Sequence, residues 1–429
     1  MSVVPAAREA RSYQIMTKKT EETNNTNNTE ATEEKILPVH EKNGAEMIRK
    51  DAYRPGLEGV VATRSSICHV DGENGRLLYR GIKIEDLAEH STFEETSYLL
   101  LYNHLPNERE LKQFTTLINR QRHLPVSVLE AIKRFPVGMH PMLSLQSAIT
   151  LLQGEDFYAD DVSSPLHNLK RAVSLIAKVP TIIAAFDRYR NDEDPFPPVS
   201  KFSHAENFLF MLTGEPPDKE TAKVLDQCLI LMAEHTLNAS TFVARVVGST
   251  NASVYSAVSG AVGALSGSLH GGANERVLRM LYSIGSPENV AKYVEERLGA
   301  GKKIMGMGHR IYKTVDPRAP ILKSYIPTLV KRVGGEEGKD LYEIALAVER
   351  EVEKKLSQKK IYPNVDFYSA VVMELLRIPI DLFTPVFAVS RVAGWSAHWN
   401  EQVDANRIFR PIQEYIGDLD RPYIPLEKR

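Results

Sequence analysis

Helix-start signals recur along most of this chain. A capping residue followed three positions later by glutamate stands at Asn107–Glu110 and again at Ser203–Glu206. Each pair is typical of a capping box, in which side chains bond the free N–H groups of a first helical turn. We find neither a regular alternation of strands and helices nor a repeat of fixed period between these signals. The pattern therefore predicts an all-α protein.

One short region departs from the helical pattern. Near residues 60–80, two β-rich runs flank the sequence Asp-Gly-Glu-Asn-Gly at 71–75. Asn-Gly between such runs is a strong turn signal, because both residues tolerate positive φ. We therefore expect a short N-terminal β-hairpin.

The first 50 residues have a different composition from the rest. Positions 17–35 read TKKTEETNNTNNTEATEEK and contain almost no apolar side chains. Such a segment cannot bury enough surface to offset the entropy lost on ordering. We predict a disordered extension over 1–50.

Composition excludes several classes of function. The net charge of −2 gives no general attraction to nucleic acid or to an anionic membrane, and we find no apolar run long enough to span a bilayer. With two cysteines the chain has no disulfide framework, which fits a reducing compartment and predicts a cytoplasmic protein. Neither HExxH nor paired CxxC is present, so no metal site is expected.

The segment 301–320, GKKIMGMGHRIYKTVDPRAP, combines glycines with a histidine and several cations. Glycine-rich backbone lets a ligand approach closely. His309 can share a proton near neutral pH, and Arg318 can hold a carboxylate with two parallel hydrogen bonds. Taken alone, the same composition also fits a solvated surface loop.

Two further histidines occupy suggestive positions. His235 lies beside the apolar stripe of 217–250, which we read as one long helix with a possible break, and it could equally be a core histidine bonded to a carbonyl. His270 precedes Gly271-Gly272 and a helix, so the helix dipole should keep its imidazole neutral. A neutral imidazole can stabilise an enolate, although the segment could also be a simple linker.

Two charged residues stand in helical segments. Asp366 follows Pro363-Asn364 in a first helical turn, where aspartate usually serves as a cap; a rigidly held base is the alternative. Arg391 lies in a mostly apolar helix and needs a nearby anion, supplied by either an ion pair or a ligand.

Six segments in order resemble the citrate synthase family, from about Pro55 to Arg410. They are AEHTLNAST around His235, SLHGGANE around His270, GMGHRIYKTVDPR around His309, PNVDFYSA around Asp366, VSRVAGWSAHWNEQ around Arg391 and RPIQEY from Arg410. Each segment by itself is modest evidence of a family relationship, but six in the same order are very unusual as a coincidence.

The resemblance implies a reaction and its residues. Asp366 would remove a methyl proton from acetyl-CoA while His270 donates a hydrogen bond to the thioester oxygen. His309 would protonate the keto oxygen of oxaloacetate as carbon attacks it, and citryl-CoA would then be hydrolysed. The substrate carboxylates would be bound by His235, Arg318, Arg391 and Arg410, and CoA by Lys313, Lys360, Gly306 and Gly308.

The family resemblance also implies an architecture. A large helical domain would comprise 51–271 and 379–429, and a smaller helical domain, 272–378, would close over the substrates. The family takes the arginine matching Arg410 from a second subunit, so a homodimer is expected. No tightly bound cofactor is implied, since acetyl-CoA is a cosubstrate.

Other functions remain open at this point. A 2-methylcitrate synthase would use propionyl-CoA with the same catalytic residues, and one methylene is discriminated by only roughly 1–3 kcal/mol. A non-catalytic sensor of CoA or carboxylates and a purely structural helical scaffold are further alternatives.

Overall fold

The computed structural model describes residues 53–429, so the predicted disorder of 1–50 lies outside the described residues. Most of the described chain is helical, and the prediction of an all-α protein with one small β element is confirmed. The helices are α1 Ile84–His90, α2 Phe93–Tyr102, α3 Glu108–Gln121, α4 Val126–Lys133, α5 Pro141–Gln153, α6 Pro165–Arg190, α7 His204–Thr213, α8 Lys219–Met232, α9 Ala239–Gly248, α10 Val254–Ser266, α11 Ala273–Ile284, α12 Val290–Gly299, α13 Arg318–Leu329, α14 Gly335–Leu356, α15 Val365–Leu375 and α16 Phe383–Asp404.

The β element is the predicted hairpin with one added strand. Strands β1 (Cys68–Asp71) and β2 (Arg76–Tyr79) pair antiparallel, with Cys68 opposite Tyr79, and β3 (Ile82–Lys83) extends the sheet from β2. The Asp71 carboxylate accepts the backbone N–H of Asn74 at 3.0 Å and so closes the turn. The third strand, only two residues long, had no signal of its own in the sequence.

The capping signals correspond to helix starts. Asn107 and Glu110 form a complete capping box at the start of α3, and Ser203 and Glu206 form another at α7. These local bonds explain why the two helices begin where the sequence predicted.

The expected long helix over 217–250 is two helices, α8 and α9, separated by residues 233–238. Thr236 in this break has φ of +53°, which no regular helix permits. Asn238 then starts α9, because its side chain accepts the backbone N–H of Thr241. The break carries His235.

Helix α16 lies at the centre of the packing. It contacts α2, α6, α8, α9 and α10, and both of its tryptophans, Trp395 and Trp399, are fully buried. Residues 61–413 form one compact unit, and residues 53–60 group with 414–429 in a second. The division into a large and a small domain therefore stays a prediction. No helix within 53–429 combines the length and apolarity needed to cross a membrane.

Candidate active site

His309 lies in the loop between α12 and α13, and the backbone fixes its protonation. Its Nδ1 accepts the N–H groups of Ile311 at 3.1 Å and Tyr312 at 3.2 Å. An accepting Nδ1 carries no proton, so the proton of the neutral ring is on Nε2. Burial, together with the nearby Arg318, lowers the pKa of His309 to about 4. Near neutral pH this side chain is therefore an uncharged donor through Nε2.

His270, in the loop between α10 and α11, has the opposite tautomer. Its Nε2 lies 3.2 Å from the backbone N of Ser240, which donates to it, and 2.8 Å from the Ser240 hydroxyl. The proton of the neutral ring is therefore on Nδ1. Burial and then the charge of Arg391 lower the pKa of His270 to about 4. The predicted neutral state agrees with this direction, and lost hydration is the largest cause of the shift.

Asp366 stands in the first turn of α15 without acting as its cap. That role belongs to Asn364, whose side chain accepts the Asp366 backbone N–H at 3.0 Å. The Asp366 carboxylate is thereby left free for other contacts. Burial raises its pKa to about 6, although Arg318 partly opposes the shift. A carboxylate with such a pKa is suited to act as a base near neutral pH.

Arg318 begins α13 and is paired with a carboxylate that the sequence reading had treated only as part of a turn. Asp316 accepts from its Nε at 2.9 Å and its Nη2 at 2.8 Å, and both side chains are buried. Asp316 also accepts the backbone N–H of Val365 at 3.2 Å, which ties the start of α15 to the same pair. Burial alone would raise the pKa of Asp316. The Arg318 guanidinium outweighs that effect and holds this pKa below its usual range.

His235 and Arg391 complete the site from the α8–α9 break and from α16. His235 is buried; its Nε2 lies 3.2 Å from the Tyr312 hydroxyl, and its ring centroid is 5.1 Å from that of His309. Burial lowers its pKa well below the usual value, with Arg318 adding to the effect. Arg391 is buried as well and donates from Nε to the Met232 carbonyl at 2.8 Å.

Shared electrostatic partners show that these residues form one group. Arg318 influences the pKa of His235, His309 and Asp366. Arg391 influences the pKa of His235, His270 and Asp366. We call this group the central cluster; its members are His235, His270, His309, Arg318, Asp366 and Arg391.

The remaining candidates are exposed or shape the backbone locally. Arg410 is exposed in the irregular tail after α16 and, within residues 53–429, makes no hydrogen bond or ion pair. Lys313 and Lys360 are exposed. Gly306 has φ of +74° and accepts the Asn364 N–H at 2.9 Å, so this glycine shapes the loop beside α15.

Gly308 is bound to the same stretch of chain. Its N–H donates to Tyr362 at 2.8 Å, and its carbonyl accepts from the Asn364 side chain at 2.8 Å. In the part of the chain that the structure describes, no group of three or more potential ligands is arranged to hold a metal ion.

Sequence reasoning missed four residues that hold the cluster in place: Ser240, Tyr312, Asp316 and Asn364. Asn364 was detectable, because asparagine is a preferred cap and stands directly before the helix. Asp316 was detectable as a carboxylate two residues from an arginine. Ser240 and Tyr312 act through long-range contacts or backbone groups, for which the sequence carries no signal.

Comparisons with known proteins agree along nearly the whole chain. Residues 56–412 match the family model described as "Citrate synthase, C-terminal domain". A citrate synthase from Synechocystis is 48% identical over 89% of this chain and 96% of its own. A citrate/2-methylcitrate synthase from Bacillus subtilis is 39% identical over 86% of this chain and 98% of its own.

Solved structures show the same similarity. Citrate synthase from Pyrobaculum aerophilum superposes with a TM-score of 0.84 at 40% identity, covering 92% of this chain and all of that one. Citrate synthase from Thermoplasma acidophilum, solved as a ternary complex with carboxymethyl coenzyme A and oxaloacetate, superposes with a TM-score of 0.82 at 32% identity, covering 87% of this chain and 99% of that one.

Proposed function

Because this chain belongs to the citrate synthase family, we propose that it is an acyltransferase that condenses acetyl-CoA with oxaloacetate to citrate and CoA. The observation that carries this proposal is the pair of opposite tautomers beside a carboxylate. His270 offers a proton from Nδ1 and His309 from Nε2, while the pKa of Asp366 is about 6. The reaction needs one base and two neutral donors at two different oxygens.

Enolisation uses Asp366 and His270. The Asp366 carboxylate removes a proton from the methyl group of acetyl-CoA, and His270 donates from Nδ1 to the thioester oxygen on which charge develops. A neutral donor suits this step, because its N–H is already oriented by the Ser240 backbone before substrate arrives. General-base catalysis of this kind contributes about 10²–10⁴-fold.

Carbon–carbon bond formation uses His309. The enol carbon attacks the keto carbon of oxaloacetate, and the keto oxygen takes the proton from Nε2 of His309. Arg318, Arg391 and His235 bind the oxaloacetate carboxylates, for which bidentate guanidinium contacts are well suited. Water then hydrolyses the thioester of citryl-CoA and releases CoA. This places oxaloacetate and acetyl-CoA as the substrates, with no tightly bound cofactor.

The direct test measures free thiol released from acetyl-CoA in the presence and absence of oxaloacetate. We expect oxaloacetate-dependent release that falls to a small but measurable residual rate in His309→Ala. If the folded wild-type protein bound both compounds without releasing thiol, the proposal would be wrong and a non-catalytic sensor would be the better description.

A second candidate is 2-methylcitrate synthase activity, since a relative at 39% identity carries both names. The same residues would then enolise propionyl-CoA. The ratio of kcat/KM for the two thioesters distinguishes the candidates. We expect acetyl-CoA to be preferred, and a clear preference for propionyl-CoA would reverse the assignment.

We also propose a homodimer in which Arg410 serves the partner's site. The tail after α16 exposes apolar side chains, among them Ile412 and Ile416, whose exposure is 70% and 93%. Mixing inactive Arg410→Ala and Asp366→Asn subunits tests the arrangement. In a mixed dimer, one site has Asp366 and receives Arg410 from the other subunit, so activity should return. No recovery after demonstrated subunit exchange would contradict it.

The remaining assignments complete the proposal. Lys313 and Lys360 would contact CoA phosphates, and the backbone at Gly306 and Gly308 would approach the adenine.

Residues 272–378 would form a small domain that closes on 51–271 and 379–429, and the enzyme would act in the cytoplasm. Free cysteines at 68 and 228 are compatible with that reducing compartment.

A further inference from the structure

The turn of the β-hairpin lies directly against the loop that carries His309. The backbone N–H of Lys313 donates to the Gly72 carbonyl at 2.9 Å. The space beside Gly72 is filled by the same loop, because a Cβ built there would lie 2.3 Å from the carbonyl oxygen of Ile311. No real side chain tolerates such a distance, so the close approach requires glycine at this position.

The atom that Gly72 touches belongs to the peptide unit that holds the imidazole. The carbonyl of Ile311 and the N–H of Tyr312 are two ends of one planar peptide group. That N–H donates to Nδ1 of His309 at 3.2 Å. A push on the carbonyl therefore rotates the N–H that keeps the His309 proton on Nε2.

A second glycine of the turn makes a similar contact further along the loop. Gly75 has φ of +63°, and a Cβ there would lie 2.9 Å from both Thr314 Cγ2 and the Val315 carbonyl oxygen. The two glycines together contact residues 311–315 on one side. The same loop carries His309 and reaches the central cluster through Tyr312, whose hydroxyl lies 3.2 Å from Nε2 of His235.

We propose that the hairpin turn, residues 71–75, is a positioning element that fixes the proton-donating geometry of His309. This inference rests on the function proposed above for His309. The turn touches no reacting atom, and its effect passes through the 311–312 peptide. Gly72 and Gly75 are accordingly positioning residues of the reaction.

Matched glycine variants separate this role from general packing. Gly138, like Gly72, lacks positive φ, but a Cβ there meets open space; Gly81, like Gly75, has positive φ and also faces open space. We expect Gly72→Ala to lower kcat by about 10–100-fold, since a misplacement near 1 Å can cost about 10². Gly138→Ala should stay within about twofold of wild type.

The Gly75 and Gly81 variants test the positioning role of the turn if Gly72→Ala does not fold. Gly75→Ala should lower kcat well below that of Gly81→Ala, because only the former presses on the loop while both carry the same kind of backbone strain. Adding Thr314→Ser removes one of the two contacting atoms and should restore part of the loss. Equal kcat for Gly75→Ala and Gly81→Ala would overturn the proposal.

A coupled variant tests whether the effect passes through His309. In a His309→Ala background, Gly72→Ala should cost little further activity, because the group it positions is already absent. An undiminished loss in that background would overturn the proposal, as would equal kcat for Gly72→Ala and Gly138→Ala. Inactive wild-type protein would instead refute the proposed function itself.

Discussion

Asp316 and Arg318 form a two-point ion pair in which the side chains are only 1% and 2% exposed. The pair also holds the first N–H of α15 through Val365. It therefore joins the residue expected to bind oxaloacetate to the helix that carries Asp366.

Removing Asp316 should destabilise the protein strongly. Asp316→Ala leaves the Arg318 charge buried without its partner, and breaking such a pair costs about 3–5 kcal/mol. Urea unfolding should show this loss. The control, Glu296→Ala, removes an exposed partner of Lys292 and should change the free energy of unfolding by less than about 0.5 kcal/mol. Equal changes would contradict a buried, structural pair.

Asp366→Asn should lose activity without losing stability. We expect kcat to fall about 10²–10⁴-fold, the range of a general base. Because the folded-state pKa of Asp366 is raised to about 6, folding becomes less favourable as pH rises from about 4 to 6. Asparagine removes that penalty, so thermal melts should show a more stable variant at pH 7 and little change near pH 4. A destabilised, active variant would contradict both statements.

The pH profile should report the same carboxylate. Activity requires Asp366 ionised, so kcat/KM should fall as pH decreases through about 6, approaching tenfold per unit below it. The two imidazoles, whose pKa values are lowered to about 4, are mostly neutral above about pH 5, where the limb begins. Initial rates from pH 4.5 to 8 would check the position of the acid limb. An acid limb at the ordinary aspartate value would argue against Asp366 as the base.

Tyr312→Phe should affect binding more than turnover. The hydroxyl lies 3.2 Å from Nε2 of His235, whereas the backbone N–H that serves His309 is unchanged by the substitution. Losing one hydrogen bond of about 0.5–1.5 kcal/mol should raise KM for oxaloacetate about 2–12-fold, with kcat within about twofold. Tyr282→Phe, which removes a bond to Glu374 at an exposed tyrosine, is the matched control and should leave KM unaltered.

Local signals in the sequence were enough to predict the helical class and the hairpin. The capping boxes at Asn107 and Ser203 are complete within four residues of chain, so they can be read without knowing the fold. Periodicity alone left open whether 217–250 is broken, because Thr236 adopts positive φ only under tertiary constraint.

The central cluster was predictable by residue type and through family resemblance, but its protonation was not. The proton on Nδ1 of His270 follows from a contact with Ser240, 30 residues away. The raised pKa of Asp366 follows from burial among groups on other segments. Both depend on long-range packing, which no local pattern encodes.

The main-chain origin of the two imidazole contacts affects how the protein can change over time. Ile311 and Tyr312 serve His309, and Ser240 serves His270, through N–H groups common to every amino acid except proline. Substitutions at these positions can accumulate while the tautomers persist. The two tautomers are thus tolerant of side-chain changes at positions 240, 311 and 312, and they are vulnerable to changes that bend the backbone there.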